Sequence, residues 1–417
     1  MPSAVPPPPL VHDWNARADF AWPEARVTIL DETLRDGLQS PSATVPSVAA
    51  KRGLLHLMAA VGVRAVNVGV PAAGARAFAD AVALVREIAD AGLALEPVCA
   101  GRTTAGDVAA IARVAAEAGA PVTASLFVGA SAIRHHAEGW TLDGVCRAAS
   151  DAVCAAAAEG LAVAFVTEDT TRSHPEALRL LHAAAAGAGA ARVCLADTVG
   201  HATPAGVGRL VRFVRDDLDA AGHARVGLEW HGHRDRGLGV ANALAAVEAG
   251  VGCVHATALG VGERVGNVEL ELLVANLHLL GVSGHRLAAV PEYVTAAARA
   301  LGVAVPPNQP VVGADAFRTG TGTHAAALVK AAAVGDAWLA DRLYAALPAA
   351  DVGRAQVIEL SPVSGRANAR HWLAAHGYPA HDEMLVDAVL AAARGGTRAL
   401  ADDELHAICR ARPGGAP

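Results

Sequence analysis

LEWHGHRDRGLG, residues 228–239, opens as a β-strand and closes as a polar, glycine-marked turn, with His231 and His233 at the changeover. Side chains alternate across a strand, so an H-x-H pair at its end presents both imidazoles to one side. Far earlier, VTILDETLRDGLQ (27–39) sets Asp36 at the exit of another strand-like run. Two neutral imidazoles and a carboxylate make a divalent-metal site with open positions, the arrangement a Lewis-acid enzyme needs. Nitrogen and oxygen ligands without thiolate suit Mn, Mg, Co or Zn.

Working outward, one rhythm fills residues 27–262. Strand-like runs occur at VTILDE (27–32), AVNVG (65–69), LEPVCA (95–100) and VTASLFV (122–128). They continue at AVAFVTE (162–168), RVCLADT (192–198), RVGLEWHGH (225–233) and CVHATALGVG (253–262). Alanine-rich amphipathic stretches of helical length, such as ARAFADAVALVREIADAG, separate them. Nearly continuous apolar strands alternating with helices imply a parallel sheet, and eight such units in about 250 residues make a (β/α)8 barrel. Asp31, Asp36, Glu168, Asp197, Thr198, His231, His233 and Glu263 all fall at or just past strand ends, the face where barrel active sites are built. An open doubly wound sheet would not gather them around one point.

The expected fold is therefore α/β: a TIM barrel over 25–282, a disordered proline-rich leader over 1–24, and smaller, mainly helical C-terminal subdomains over 283–417. In that last region HRLAAVPEYVTAAARALGV reads as helix, VPPNQPVVGADAF as a connector, and PGGAP as a fraying end.

Hydrophobic residues form 53% of the chain and charged residues 18%, enough apolar content for a large core. The net charge of −7 argues against nucleic acid or an anionic membrane as partner. No apolar run reaches the roughly 18–20 uncharged residues that span a bilayer. The start lacks the basic and apolar blocks of a signal peptide, and six cysteines are scattered without a CxxC pair. A reduced, cytoplasmic protein is expected.

Further candidates surround the metal residues. Arg35, beside Asp36, suits a substrate carboxylate or an oxyanion, or else a salt bridge at the barrel mouth. Gln39 can donate into the same pocket, and Thr198 offers a hydroxyl after the sixth strand. Glu168, Asp169 and Arg172 occupy the fifth strand's exit. Asn267, in GVGERVGN, can add a carbonyl oxygen to the metal. The glycines of GVGERVG are explained as readily by tight turning as by anion binding.

Together LRDGLQ, EDTTRS, ADTVGHATP, HGHRD with GLGVANALAAVEAG, and GVGERVGNVELE resemble the DRE-TIM metallolyases, within them the 2-isopropylmalate, homocitrate and citramalate synthases. The resemblance spans about residues 27–282 and continues more weakly through PVVGADAFRTGTGTHAAALVK and DVGRAQVIELSPVSGR. It implies a Claisen-type condensation: acetyl-CoA, as co-substrate, adds through its methyl carbon to a metal-chelated 2-oxo acid, and thioester hydrolysis then releases CoA. Asp36, His231, His233 and Asn267 match the family's metal positions, and Arg35 its catalytic arginine. Glu168 matches the acidic partner. His324 matches the base supplied from the post-barrel region into a neighbouring subunit, which implies a homodimer.

The chain departs from the family pattern in places. Arg234 stands for the usual asparagine and Arg236 for a leucine. Thr319-Gly320 replaces a His-Glu pair, and SAIR replaces SDIH, placing Arg134 at the substrate pocket. A regulatory domain of the leucine-sensing type is not expected within residues 283–417. Arg134 and Arg234 suggest an anionic acceptor side chain, as in oxaloacetate, 2-oxoglutarate or a phosphono- or phosphinopyruvate. Solvent exposure or pairing with nearby acids explains Arg234 and Arg236 equally well.

The alternatives are a 2-isopropylmalate synthase proper, a lyase, and an inactive barrel that only binds. The family's lyases carry a cysteine in the glycine-rich loop, and ALGVGERVGN has none. Retention of every metal position and of His324 argues against an inactive barrel.

Overall fold

The computed structural model describes residues 10–15, 22 and 27–411. The expected leader, apart from residues 10–15 and 22, and the terminal PGGAP lie outside the described residues.

Eight parallel strands close a barrel in sequence order. They are β1 (Thr28–Asp31), β2 (Ala65–Asn67), β3 (Glu96–Arg102), β4 (Thr123–Gly129), β5 (Ala162–Glu168), β6 (Arg192–Asp197), β7 (Gly227–Gly232) and β8 (Cys253–Ala256). Closure pairs β1 with β8, Thr28 opposite Cys253 and Asp31 opposite Ala256. The connections carry α1 (Val48–Val61), α2 (Ala75–Asp90), α3 (Ala105–Ala118), α4 (Ala132–Glu138), α5 (Leu142–Ala158), α6 (Pro175–Gly187), α7 (Pro204–Ala220) and α8 (Gly239–Glu248). Ser47, Thr104, Thr141 and Thr203 start their helices by accepting from free N–H groups of the first turn.

Outward-facing strand residues such as Ile29, Val66, Leu126, Phe165 and Trp230 form the main core with the inner helix faces. Inside, Leu30, Ala65, Val98 and Cys253 make a small apolar layer. Because all strands run the same way, their C-terminal ends share one face, where the predicted polar residues gather.

After β8 come α9 (Leu270–Leu279) and α10 (Val290–Leu301), the latter packed on α1. Next are the two-residue strands β9 (Arg318–Thr319) and β10 (Val357–Ile358), which pair in parallel. Between and after them lie α11 (Gly322–Ala333), α12 (Ala337–Arg342), α13 (Arg366–Ala375), α14 (Glu383–Gly395) and α15 (Asp402–Arg410). Leu360, Leu373, Val386, Val389 and Leu405 form a separate core there. Among the described residues no helix is long and apolar enough to cross a membrane.

The eighth strand is shorter than its sequence suggested. It stops at Ala256 because Leu259 takes a left-handed backbone, φ 56°, and turns the chain. Glu271 holds that turn by accepting from the Leu259 N–H at 3.0 Å and from Gln309 at 2.8 Å. Burial pushes Glu271 up to about 7, and pushes Asp31, which accepts from the Tyr293 hydroxyl at 2.5 Å, up to about 6.

A raised carboxyl binds its proton more tightly in the folded chain, so its contribution is full below the ordinary carboxylate range and is lost as pH rises towards 7. Between about pH 4 and 7 these two carboxyls should therefore each withdraw roughly 1–3 kcal/mol of stability in urea unfolding, against the opposite contribution of buried His182 and His285, which burial lowers to about 4. Glu271→Gln should therefore gain stability relative to wild type as pH rises from about 4 to 7; a difference that does not change with pH would remove Glu271 from the account.

Candidate metal centre

His231 ends the inward face of β7 and His233 follows one pleat later. Their Nε2 atoms lie 3.3 Å apart. Asp36 arrives from the β1 exit, its Oδ2 3.4 Å from His231 Nε2 and 3.8 Å from His233 Nε2. Two ligands about 2.1 Å from one ion stand roughly 3.0–3.4 Å apart, so the imidazole spacing fits a shared cation. Asn267 closes the group, its Nδ2 donating to Asp36 Oδ1 at 3.1 Å. Its buried Oδ1 has no hydrogen-bond partner among the described residues, a donor atom left for a cation.

The loop that delivers Asn267 is built on glycine. Gly266 has φ 97°, and a Cβ there would sit 1.8 Å from the Gly260 carbonyl oxygen. A Cβ on Gly262 would meet Asn267 Nδ2 at 2.1 Å. The glycines of GVGERVG thus serve turning and close approach. Gly266→Ala should displace Asn267 and weaken Mn²⁺ binding by about 10–100-fold, read by titration calorimetry. Unchanged affinity would separate Asn267 from the metal.

Among the described residues, three buried groups have the donor atoms and spacing for a cation: Asp36 with His231 and His233, Glu32 with His231 and His255, and Cys194 with Glu229 and His255. The first opens into a cavity of about 430 Å³ at the C-terminal barrel face. In the other two the carboxylates are held more closely by arginine, Glu32 by Arg35 at 2.6 Å and Glu229 by Arg192 at 2.9 Å, against 3.1 Å between Arg35 and Asp36. The donor set at Asp36 therefore suits a divalent cation best.

The electrostatics agree. Burial disfavours the ionised form of Asp36, but Arg35, then His231 and His233, outweigh it and hold the carboxyl well below its usual range. Burial, then neighbouring His231, lowers His233 to about 4, leaving the imidazole neutral and able to ligate. Burial raises Glu168 against the opposing pull of Arg134, with Asp169, Glu263 and Glu138 adding to the rise.

Around the triad, Arg35, Gln39, Arg134, Glu168, Thr198 and Glu263 line the cavity. Arg35 donates through Nε to Glu32 at 2.6 Å and through a terminal nitrogen to Asp36 at 3.1 Å. Arg134 lies with its stem over Gly129, where a Cβ would come within 2.5 Å, and pairs with Glu138 at 3.1 Å. Phe127, Arg134 and Glu168 also border an adjoining cavity of about 660 Å³ beside Trp140.

Other predicted residues lie elsewhere. Arg234 does not line the cavity: one residue beyond His233 it points to the other side, donating to the Val265 carbonyl at 2.8 Å and pairing with Glu269. Arg236 donates to the His201 carbonyl. Arg172 is clasped by Asp169 at 2.7 and 2.8 Å. Asp197 braces its own loop, accepting from His201 N–H and the Thr171 hydroxyl. His324, on α11, stacks on Tyr344 at 4.2 Å and is not among the residues lining the cavity.

Conversely, Glu32, His255, Ser125 and Arg264 line the cavity without having been singled out. Arg264, at φ 56°, forks onto Asp235 at 2.9 and 3.1 Å and reaches the Thr198 carbonyl. Glu32, in DETLRD, carried a visible signal, since it falls at the same strand exit as Asp36. His255 carried none, lying inside an apolar run.

A family model described as HMGL-like matches residues 26–292. Homocitrate synthase AksA of Methanopyrus kandleri is 34% identical over 343 residues, 82% of this chain and 80% of its own. A probable 2-isopropylmalate synthase of Ignicoccus hospitalis is 32% identical over 363 residues, 86% of this chain and 85% of its own. Among solved structures, HMG-CoA lyase from Brucella melitensis superposes with a TM-score of 0.55 at 22% identity, over 67% of this chain and 99% of that one, a likeness of fold.

Proposed function

Since this chain belongs to the HMGL-like family and is a transferase of its synthase branch, we propose that it condenses acetyl-CoA with an acidic 2-oxo acid. The carbon–carbon bond forms between the acetyl methyl carbon and the 2-oxo carbon. Water then cleaves the thioester, giving a 2-hydroxy-2-carboxymethyl acid and free CoA. The observation that carries this reading is the Asp36–His231–His233 triad facing one cavity with Arg35, Arg134 and Glu168.

Asp36, His231, His233 and Asn267 would hold the divalent ion, which when bound supplies Lewis acidity to the acceptor's carbonyl. Arg35 neutralises the alkoxide that develops as the new bond forms. Gln39 and Thr198 orient the acceptor's polar atoms. Arg134, at the border of the two cavities, meets the distal acidic group, and the adjoining cavity gives the thioester arm its approach. Glu168, raised by burial, is suited to hold or pass a proton near the reacting carbon.

His324 completes the reading as the base that takes the acetyl methyl proton, supplied by a second copy of the chain. The region 283–417 then serves as the dimerisation unit and 25–282 as the catalytic barrel, in the cytoplasm. Mixing His233→Ala with His324→Ala should restore activity that neither has alone, to about a quarter of wild type for random dimers. No recovery would place the base in the same chain.

The reaction itself is tested with acetyl-CoA carrying ¹³C in both acetyl carbons. Mass spectrometry should find both labels in a product heavier than the oxo acid by the elements of acetic acid. Label found only in free acetate would indicate hydrolysis without condensation and overturn the reading.

A further inference from the structure

Beneath the cavity a file of charged side chains runs down the barrel interior. Arg35 Nε donates to Glu32 Oε2 at 2.6 Å. The other oxygen, Glu32 Oε1, accepts from Asn67 Nδ2 at 3.2 Å and faces His255 Nδ1 at 3.4 Å. His255 Nε2 lies 3.2 Å from Glu229 Oε2, and Glu229 Oε1 lies 2.9 Å from Arg192 Nε. Arg192 in turn forks onto Glu96 at 2.6 and 3.0 Å. Glu32, Asn67, Glu229 and His255 are all buried, and each comes from a different strand or strand exit.

A carboxylate held at one oxygen can still rotate about its last carbon–carbon bond. One held at both oxygens cannot, and it fixes whatever donates to it. Glu32 is held at both, by Arg35 above and by Asn67 and His255 below. His255 is itself pinned from its far side by Glu229, which stands on Arg192. Arg35 also touches Asp36, yet the same Oδ2 of that carboxylate lies 3.4 Å from His231 Nε2 in the candidate metal triad and cannot alone set the direction of the guanidinium.

We infer that Glu32 is a positioning residue, braced by His255 and Asn67, that aims the Arg35 guanidinium into the metal cavity. Only the role given to Arg35 in catalysis rests on the proposed function. The bracing is a matter of side-chain geometry, and it assigns work to buried charges that the condensation does not otherwise use.

The test measures Arg35 directly, by peptide-resolved modification of the Mn²⁺-loaded protein with phenylglyoxal. His255→Gln and Glu32→Gln should each raise the rate at Arg35 several-fold while leaving Arg134, at the same cavity, unchanged. Asn67→Ala removes a single amide and should give the same pattern in a milder form, should either glutamine variant fail to fold. In CoA release these variants should lower kcat by about 10–100-fold with the KM for the oxo acid held within about twofold. An unchanged Arg35 rate in a folded His255→Gln protein overturns the inference, as does an equal rise at Arg134, which would mean general loosening. If the wild type releases no CoA with any oxo acid, the condensation reading fails, while the Arg35 rates still decide whether the brace exists.

Discussion

His233→Ala should leave a folded barrel that no longer retains a stoichiometric divalent ion and has lost acceptor-dependent CoA release by about a thousandfold or more. The size of the effect follows from convergence. His231 Nε2, His233 Nε2 and Asp36 Oδ2 lie within 3.8 Å of one another, so removing one leaves two donors and an enlarged void. The ring of His233 is buried, but its loss costs little packing because its neighbours are mainly polar cavity residues. Metal content by atomic emission, beside circular dichroism, separates loss of the ion from loss of the fold. A variant that kept one ion per chain and near-normal activity would place the cation elsewhere, with Glu32 and His255 the next group to test.

Arg35→Lys should lower kcat by about 100–1000-fold while leaving metal content intact. The guanidinium spans two carboxylates at once, Glu32 at 2.6 Å and Asp36 at 3.1 Å, and still reaches the cavity. An ammonium is a point donor that cannot satisfy both carboxylates and face an alkoxide together. Lysine keeps the charge, so the loss should appear in kcat more than in metal affinity. Equal activity in the two proteins would reduce Arg35 to a salt bridge at the barrel mouth, the alternative its sequence position left open.

The barrel was legible because its strands are short apolar runs with polar residues at one end, a pattern the parallel fold requires. Strand ends were less so. The eighth run looks unbroken to Gly262, yet Leu259, a residue with no preference for the left-handed region, turns the chain three residues after β8. What holds it there is Glu271, contributed by the next helix. The strands β9 and β10 have two residues each, too few for any periodicity.

At the site, strand alternation told His231 and His233 apart from their neighbours and would have excluded Arg234, one step out of phase. Arg134 could be placed only through its loop, and the structure brings it to the cavity. The buried file of Glu32, His255 and Glu229 escaped notice because a charged residue inside a strand announces nothing about its partner across the barrel. Those pairings exist only once the sheet has closed.

The most direct measurement is CoA-thiol release from acetyl-CoA, with Mn²⁺ or Mg²⁺, across pyruvate, 2-oxoisovalerate, oxaloacetate, 2-oxoglutarate and phosphonopyruvate. Metal-dependent release with an acidic acceptor, lost with EDTA and weakened in Arg134→Ala, is the predicted result. A preference for 2-oxoisovalerate would keep the condensation and contradict the acidic acceptor. Release from none of them by metal-loaded protein would contradict the central claim.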